Sequence, residues 1–390
     1  MDIQTKSITQ YLYYNVDKLI DDGKLNNKFV VIFGANQSAM LVTKYLLEKG
    51  ITVDAVVDNN KQKRDMIAIG KLELFAGKYQ LCSPQEVLGE YKENALILIA
   101  SQCYHDMCTQ ITQMGYDAEK QTIQLLSFPK ISREQKPGIR YINQDEMKKI
   151  ELDLLVYFRD LCEKLGLRYY LCGGTLLGAV RHKGYIPWDD DIDVFMPYPD
   201  YVRLIELFEE DDVHKLINMD NCETSYMFTR LIDKRTVLEE IHYPLLSKTR
   251  INIDIFPISG FPNDEKEAAD FTTEILELRS EWDNYWIMYG TLENHEELYV
   301  ELKSKIKNVM ARYDFDESDV VGYIATGKFD RELLARNNFD DSISINFENI
   351  EFKTLKGYDV YLTNMYGDYM KLPPEEQQES KHDFMAWWEI

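Results

Sequence analysis

Asp189, Asp191 and Asp193 recur at every second position, behind Gly173-Gly174-Thr175 and directly after Ile186-Pro187-Trp188. In an extended strand all three carboxylates would project to one side. They repel one another there unless a cation neutralises them. The small-residue turn ahead of them lets backbone N–H groups meet a phosphate. The flanks Trp188 and Val194-Phe195 are apolar, which weighs against a solvated acidic loop or a calcium-like surface site. Further along, Asp254 stands between Ile253 and Ile255, and a carboxylate with such neighbours needs a partner. A metal shared with Asp191 and Asp193 would supply it, and all-oxygen ligation favours Mg²⁺ or Mn²⁺.

The chain has 390 residues, which predicts two domains, and 45% hydrophobic residues are enough to fill two cores. A net charge of −23 argues against nucleic acid and anionic bilayers as partners. A phosphate-bearing substrate then needs a metal or local Arg and Lys. No apolar run reaches the roughly 18 residues of a spanning helix. Met1-Asp2-Ile3-Gln4 lacks the basic-then-apolar pattern of a secretory leader, and the six cysteines form no CxxC pair. The expectation is a cytoplasmic protein with reduced thiols.

Residues 1–127 alternate buried-type strands with helices. Phe29–Gly34 and Ala95–Ala100 read as parallel strands, 37–49 as a helix closed by Gly50, and Ile51–Val57 as a strand ending at Asp58. Helices are expected at 84–89 and 104–114. This is β-α-β logic with right-handed crossovers. Gly34-Ala35-Asn36-Gln37-Ser38-Ala39 sits where a dinucleotide fingerprint would sit, but Asn36 and Ala39 replace its second and third glycines. The domain is either a nucleotide binder over the helix start near Ser38 or a helper that keeps the fold without the ligand. Its layout resembles the small Rossmann-like domain joined to bacterial surface-polysaccharide enzymes.

Residues 128–143 read as a linker, and 144–390 as the second domain. Apolar positions from Met147 to Leu161 predict a helix over 144–165 that Gly166 closes. Strands are expected at 167–172, 191–195, 227–231, 237–240 and 250–256. A turn or short helix is expected at 178–184, and helical structure at 264–314.

Arg181, His182 and Lys183 precede the carboxylates and are candidates for phosphate or substrate contact; surface charge and hydrogen-bonded scaffold are the alternatives. Arg230, Lys234 and Arg235 form a second basic cluster, one member of which is expected to face a donor or acceptor. Trp188 is read as packing behind the carboxylate strand, with a cation-binding face as the alternative. Tyr185, Trp282, Trp286 and Tyr289 are candidates for an aromatic cage, although the helical spacing of the last three fits core packing equally well.

The segment Leu171-Cys172-Gly173-Gly174-Thr175 through Trp188-Asp189-Asp190-Asp191-Ile192-Asp193-Val194 resembles the signature of the LicD family. That family comprises phosphocholine-transferase-like proteins akin to the fukutin-related enzymes, within the nucleotidyltransferase superfamily. Ile253-Asp254-Ile255-Phe256-Pro257-Ile258 resembles its second block, and Asn364 to Met370 with Pro373-Pro374 and His382 its C-terminal block. The resemblance covers 144–384. It implies an α/β chain: a small Rossmann-like parallel-sheet domain, then an α+β nucleotidyltransferase-like domain with a mixed sheet and helical insertions.

It further implies that Gly173, Gly174 and Thr175 meet donor phosphates. Asp189, Asp191, Asp193 and Asp254 would be both catalytic and metal-binding, and His382 would help close the site. The implied donor is CDP-choline or another CDP-alcohol such as CDP-ribitol or CDP-glycerol. The implied acceptor is a sugar or polyol hydroxyl of a bacterial surface glycan or teichoic acid precursor, and CMP is released. A lipid-linked acceptor would bring the protein to the inner face of the plasma membrane. A homodimer through the first domain and nucleotidyl transfer to a sugar phosphate or small molecule are the remaining readings.

Overall fold

The computed structural model describes residues 8–35, 37–61, 64, 79–88, 94–101, 104–126, 137–222, 224–240, 249–289, 296–326, 329–374, 378, 380 and 384–389. Two compact units are present: Met1–Pro129 with Ser280–Thr291, and Lys130–Arg279 with Leu292–Ile390.

In the first unit, β1 (Phe29–Phe33), β2 (Ala55–Val57), β3 (Leu81–Cys82), β4 (Ala95–Ile99) and β5 (Thr122–Gln124) form one parallel sheet in the order β3-β2-β1-β4-β5. Alternate residues of a strand face opposite sides, and both sides here are apolar. Val30, Ile32, Leu96 and Leu98 pack with the helices Ile8–Asp21 and Gln37–Glu48. Val31, Phe33, Ile97 and Ile99 pack with Leu88 and Ile111, from the helices Pro84–Leu88 and Tyr104–Gln113. The result is a Rossmann-like layer arrangement. Asp58 does not present a carboxylate for a ribose in the usual way. One oxygen accepts from Ala35 N at 2.6 Å and the other from Asn60 N at 2.7 Å, which pins the loops at the ends of β1 and β2.

The second unit starts with β6 (Tyr141–Ile142), inside the stretch read as a linker. The Gln144–Leu165 helix follows, with the expected bounds. Asn143 caps it by accepting from Glu146 N at 2.9 Å, and Gly166 ends it at φ 65°, where a side chain would be strained. Asp145 and Glu146 in the first turn and Lys164 in the last complement the helix dipole. Then come β7 (Tyr170–Leu171), the Gly173–Arg181 helix, β8 (Asp193–Pro197), the Tyr198–Leu207 helix, β9 (His214–Ile217), β10 (Thr229–Asp233), β11 (Thr236–Glu240) and β12 (Asn252–Phe261). Two longer helices, Glu265–Tyr289 and Glu296–Ala311, occupy the stretch expected to be helical. β13 (Val320–Gly322), β14 (Leu334–Ala335), β15 (Ser342–Phe347), β16 (Ile350–Leu355), the Tyr358–Tyr366 helix and β17 (Phe384–Trp388) complete the order.

β12 organises a mixed seven-stranded sheet. It runs parallel to β8 and antiparallel to β10 and β13. β17 lies between β11 and β6 in a separate antiparallel sheet, and β15–β16 is a hairpin.

Two local expectations are corrected. Gly173-Gly174-Thr175 is the first turn of a helix, not a turn leading to one at 178. Three glycines in nine residues make the segment a poor helix former, and burial of Thr175, Leu176, Leu177 and Ala179 on its inner face overrides that propensity. Asp189 and Asp191 are not in a strand. Asp189 N donates to Ile186 O at 2.9 Å in a turn around Pro187, and β8 begins only at Asp193.

The cap offers a test. Asn143→Ala should lower the unfolding free energy of the second unit by about 1 kcal/mol, while Asn143→Gly should cost only a few tenths of a kcal/mol. Urea titration monitored by circular dichroism compares the two.

Candidate active site

The site is built by strand register. Asp193 opens β8 and is the parallel partner of Asp254 in β12, so two carboxylates lie side by side. Arg230 of β10 is the antiparallel partner of Asp254 on its other side. Its Nε donates to Asp254 Oδ1 at 2.9 Å, and Asn252 Nδ2 donates to the same oxygen at 2.8 Å. The Arg230 guanidinium lies over the Tyr226 ring at 4.0 Å and nearer the edge of cation–π range over Phe228 at 5.6 Å. From Ile251, just before β12, the pattern alternates: Ile251, Ile253 and Ile255 are fully buried, whereas Asn252, Asp254 and Phe256 are half-buried. The Asp193–Asp254–Arg230 row therefore faces the open side of the sheet.

The Gly173–Arg181 helix brings its N-terminus to this row. Gly173 has φ 54°, and a β-carbon there would stand 2.6 Å from Asp193 Oδ2. At Gly174 a β-carbon would stand 2.3 Å from Asp189 Oδ2. The missing side chains thus admit carboxylates to a helix start, where the dipole favours negative charge. Gly173 N donates to Tyr361 Oη at 3.2 Å, and the buried Thr175 hydroxyl accepts from Asp193 N at 2.9 Å. Thr175 locks the beginning of β8 rather than facing the open side.

Electrostatically the four aspartates act as one cluster. Burial first, then the charges of Asp191, Asp254 and Asp189, push the Asp193 carboxyl well above its ordinary range, and Arg230 opposes them. The donor set is all oxygen and negatively charged, which suits a hard divalent cation. Among the described residues, no three His, Cys, Asp or Glu side chains converge closely enough to hold a metal as they stand.

The remaining expected contacts divide. Arg181 Nη1 donates to the Tyr369 carbonyl at 2.8 Å, tying the helix end to the 369–371 segment, and its charge is felt by His182. Burial and that charge lower the His182 pKa, and its ring meets Trp188 edge-on at 6.1 Å. Lys183 is exposed, with φ 67° and its ammonium on the Val180 carbonyl at 3.2 Å. Lys234 and Arg235 follow β10 in the turn to β11. They pair with Glu210 at 2.7 Å and Asp233 at 2.6 Å. Of that basic cluster only Arg230 reaches the carboxylates. His382 lies outside the described residues, as does the side chain of Tyr289. Trp282 is 1% exposed and unavailable as a cage wall, and the Tyr185 ring already carries the Lys148 ammonium at 5.0 Å.

Sequence reasoning missed three groups. Asp190 is buried and accepts from Ser380 Oγ at 2.5 Å. Tyr366, 42% exposed as a whole residue, ends its helix with its hydroxyl end enclosed, where burial and the neighbouring Asp193, Cys172, Asp189 and Asp191 raise the hydroxyl pKa. Glu151 is 4% exposed on the inner face of the Gln144–Leu165 helix. Its position between Met147 and Leu154 breaks an apolar stripe, which was a legible signal. Burial, then Asp191 and Asp190, push its carboxyl well above the usual value, and Tyr185 Oη donates to it at 3.4 Å.

An acid with a raised folded pKa costs stability as pH climbs from its unfolded pKa, about 4.3, toward the folded one. Glu151→Gln should therefore leave stability unchanged near pH 4 and raise it increasingly toward neutral pH. Urea unfolding in EDTA at a series of pH values would show a parallel offset instead if Glu151 were ionised throughout.

Residues 166–280 match the family described as LicD/FKTN/FKRP, nucleotidyltransferase domain. The lipopolysaccharide cholinephosphotransferase LicD of Haemophilus influenzae is 31% identical over 258 residues, which is 61% of this chain and 95% of that protein. An uncharacterised Rickettsia typhi protein is 25% identical over 178 residues, 42% of this chain and 57% of its own. The human ribitol 5-phosphate transferase FKRP is 53% identical over 38 residues, 10% of this chain and 8% of that one. The glycine-started helix, the aspartate cluster and a similarity spanning nearly a whole LicD protein lead to one conclusion: this chain belongs to the LicD family of transferases.

Proposed function

We propose that this enzyme transfers a phosphoalcohol, most specifically phosphocholine, from a CDP-activated donor to a sugar or polyol hydroxyl of a bacterial cell-surface glycan precursor. The observation that carries the reading is the Asp193–Asp254–Arg230 row beneath the glycine-started helix. A relative bearing the name of a lipopolysaccharide cholinephosphotransferase supports choline. The 38-residue identity with a ribitol 5-phosphate transferase favours phosphoribitol as the second reading. Phosphoglycerol and nucleotidyl transfer are further alternatives.

In this scheme the acceptor oxygen attacks the β-phosphorus of the donor and forms the new P–O bond. The bond to the CMP oxygen breaks, CMP departs as the phosphate monoester, and the acceptor proton passes to a carboxylate of the cluster. Asp189, Asp191, Asp193 and Asp254 would hold Mg²⁺ or Mn²⁺, which supplies charge neutralisation for the phosphates when bound. Arg230 is fixed by Asp254 and the Tyr226 ring, so it can meet a donor phosphate without first being ordered. Arg181 and His182 support the loop that carries the aspartates. Burial of Thr175 keeps β8 in place beneath them. Residues 1–127 form a domain of their own in this reading and act as a helper, since Asp58 is committed to its own loops.

No helix among the described residues is long and apolar enough to cross a membrane. We place the reaction in the cytoplasm, with peripheral contact at the inner membrane face where the acceptor is lipid-linked. A homodimer is compatible with this scheme.

The test is CMP release from CDP-choline, CDP-ribitol and CDP-glycerol with a lipopolysaccharide or teichoic acid precursor, in Mg²⁺ and in EDTA. Release from one donor should require the cation and should fall at least about 100-fold in Asp193→Asn. Release that persists in EDTA would remove the metal from the scheme. Transfer of a nucleotidyl group without CMP would replace the reaction class.

A further inference from the structure

Phe256 stands two residues beyond Asp254 on the half-buried side of β12, about 7 Å along the strand. Around it the rings run on without a break. Phe228 is 4.6 Å away, Tyr323 is 4.9 Å away on the other side, and Tyr226 is 4.9 Å beyond Phe228. These rings are tilted against one another by 34–59°, so stacking does not consume their faces. Tyr226, Phe256 and Tyr323 are half-buried, unlike the closed core beneath. The wall adjoins the Asp193–Asp254 pair and already seats one cation, the Arg230 guanidinium, on Tyr226 and Phe228. A second guanidinium, that of Arg279, is felt at Tyr323, where the charges of Glu332 and Asp254 oppose it.

We infer that Phe256 and Tyr323, flanked by Phe228 and Tyr226, form the subsite for a quaternary ammonium group of the donor and so determine its choice of alcohol. This rests on the phosphoalcohol-transfer reading above. Aromatic faces attract a poorly hydrated cation that cannot donate hydrogen bonds, and nearby carboxylates add to that attraction. Choline phosphate carries its ammonium one two-carbon link from the phosphate, so a donor phosphate held at the carboxylate row would bring that group toward the neighbouring ring row. A polyol in the same place would bury hydroxyls against ring faces that accept no ordinary hydrogen bond, at a cost in affinity. The wall therefore selects by exclusion as well as by attraction.

Two probes separate the inference from the reading on which it rests. Calorimetric binding of CDP-choline and CDP-glycerol, in Mg²⁺, is measured on the wild type, Phe256→Leu and Tyr323→Leu. Saturation-transfer NMR follows the methyl signal of tetramethylammonium on the same proteins. The leucine variants should weaken CDP-choline by about 3- to 30-fold and leave CDP-glycerol within about twofold. The tetramethylammonium signal should be lost in them. Should leucine compromise folding, Phe256→Tyr and Tyr323→Phe keep a ring in place and should retain CDP-choline binding.

Equal loss of both donors, or absence of a tetramethylammonium signal from the wild type, overturns the subsite. If tetramethylammonium binds and the variants abolish it while no CDP donor binds, the cation subsite stands and the CDP-alcohol reading falls.

Discussion

The parallel pairing of β8 with β12 places Asp193 against Asp254, and two like charges at that spacing are unfavourable by themselves. The rest of the second unit contains the means of tolerating them. Arg230 is supplied from the next strand at the matching register. Asn252 adds a donor on the same face. The N-terminal end of the Gly173–Arg181 helix is brought in from the opposite side, at positions without side chains. None of these arrangements maximises stability. A well-packed apolar row would do better, which is the usual mark of a site kept for chemistry rather than for folding.

Much of this was legible. Asp254 was found by its alternation with Ile251, Ile253 and Ile255, because a period of two states both the strand and its faces. The Gln144–Leu165 helix carried its own start and stop in Asn143 and Gly166. The parallel first sheet followed from short apolar runs separated by helix patterns. What failed to appear was pairing between distant strands. Arg230, Lys234 and Arg235 look equivalent along the chain, but only register makes Arg230 the neighbour of Asp254 and leaves the others in a turn. Asp189 and Asp191 share the spacing of Asp193, yet the turn at Pro187 takes them out of the strand. The aromatic wall was equally hidden, since Tyr226, Phe256 and Tyr323 come from three separated segments.

The first unit shows how a fold can keep an architecture while redirecting its polar groups. In the order β3-β2-β1-β4-β5, the acid after β2 is where a ribose-binding carboxylate is expected. Here Asp58 instead accepts from two backbone N–H groups. A ligand would have to compete with bonds that hold the loop.

The placement of β17 bears on how the second unit comes to be made. It is the middle strand of its sheet, between β11 and β6. Those two strands are synthesised long before it and do not pair with one another. Until residues 384–388 leave the ribosome, the edges of β11 and β6 that β17 covers stay unpaired. The unit therefore cannot finish folding segment by segment as it emerges; its final closure awaits a contact of very long sequence separation, the kind that slows folding most. During translation those waiting edges are open to wrong partners, and a chaperone that covered them would favour the correct closure.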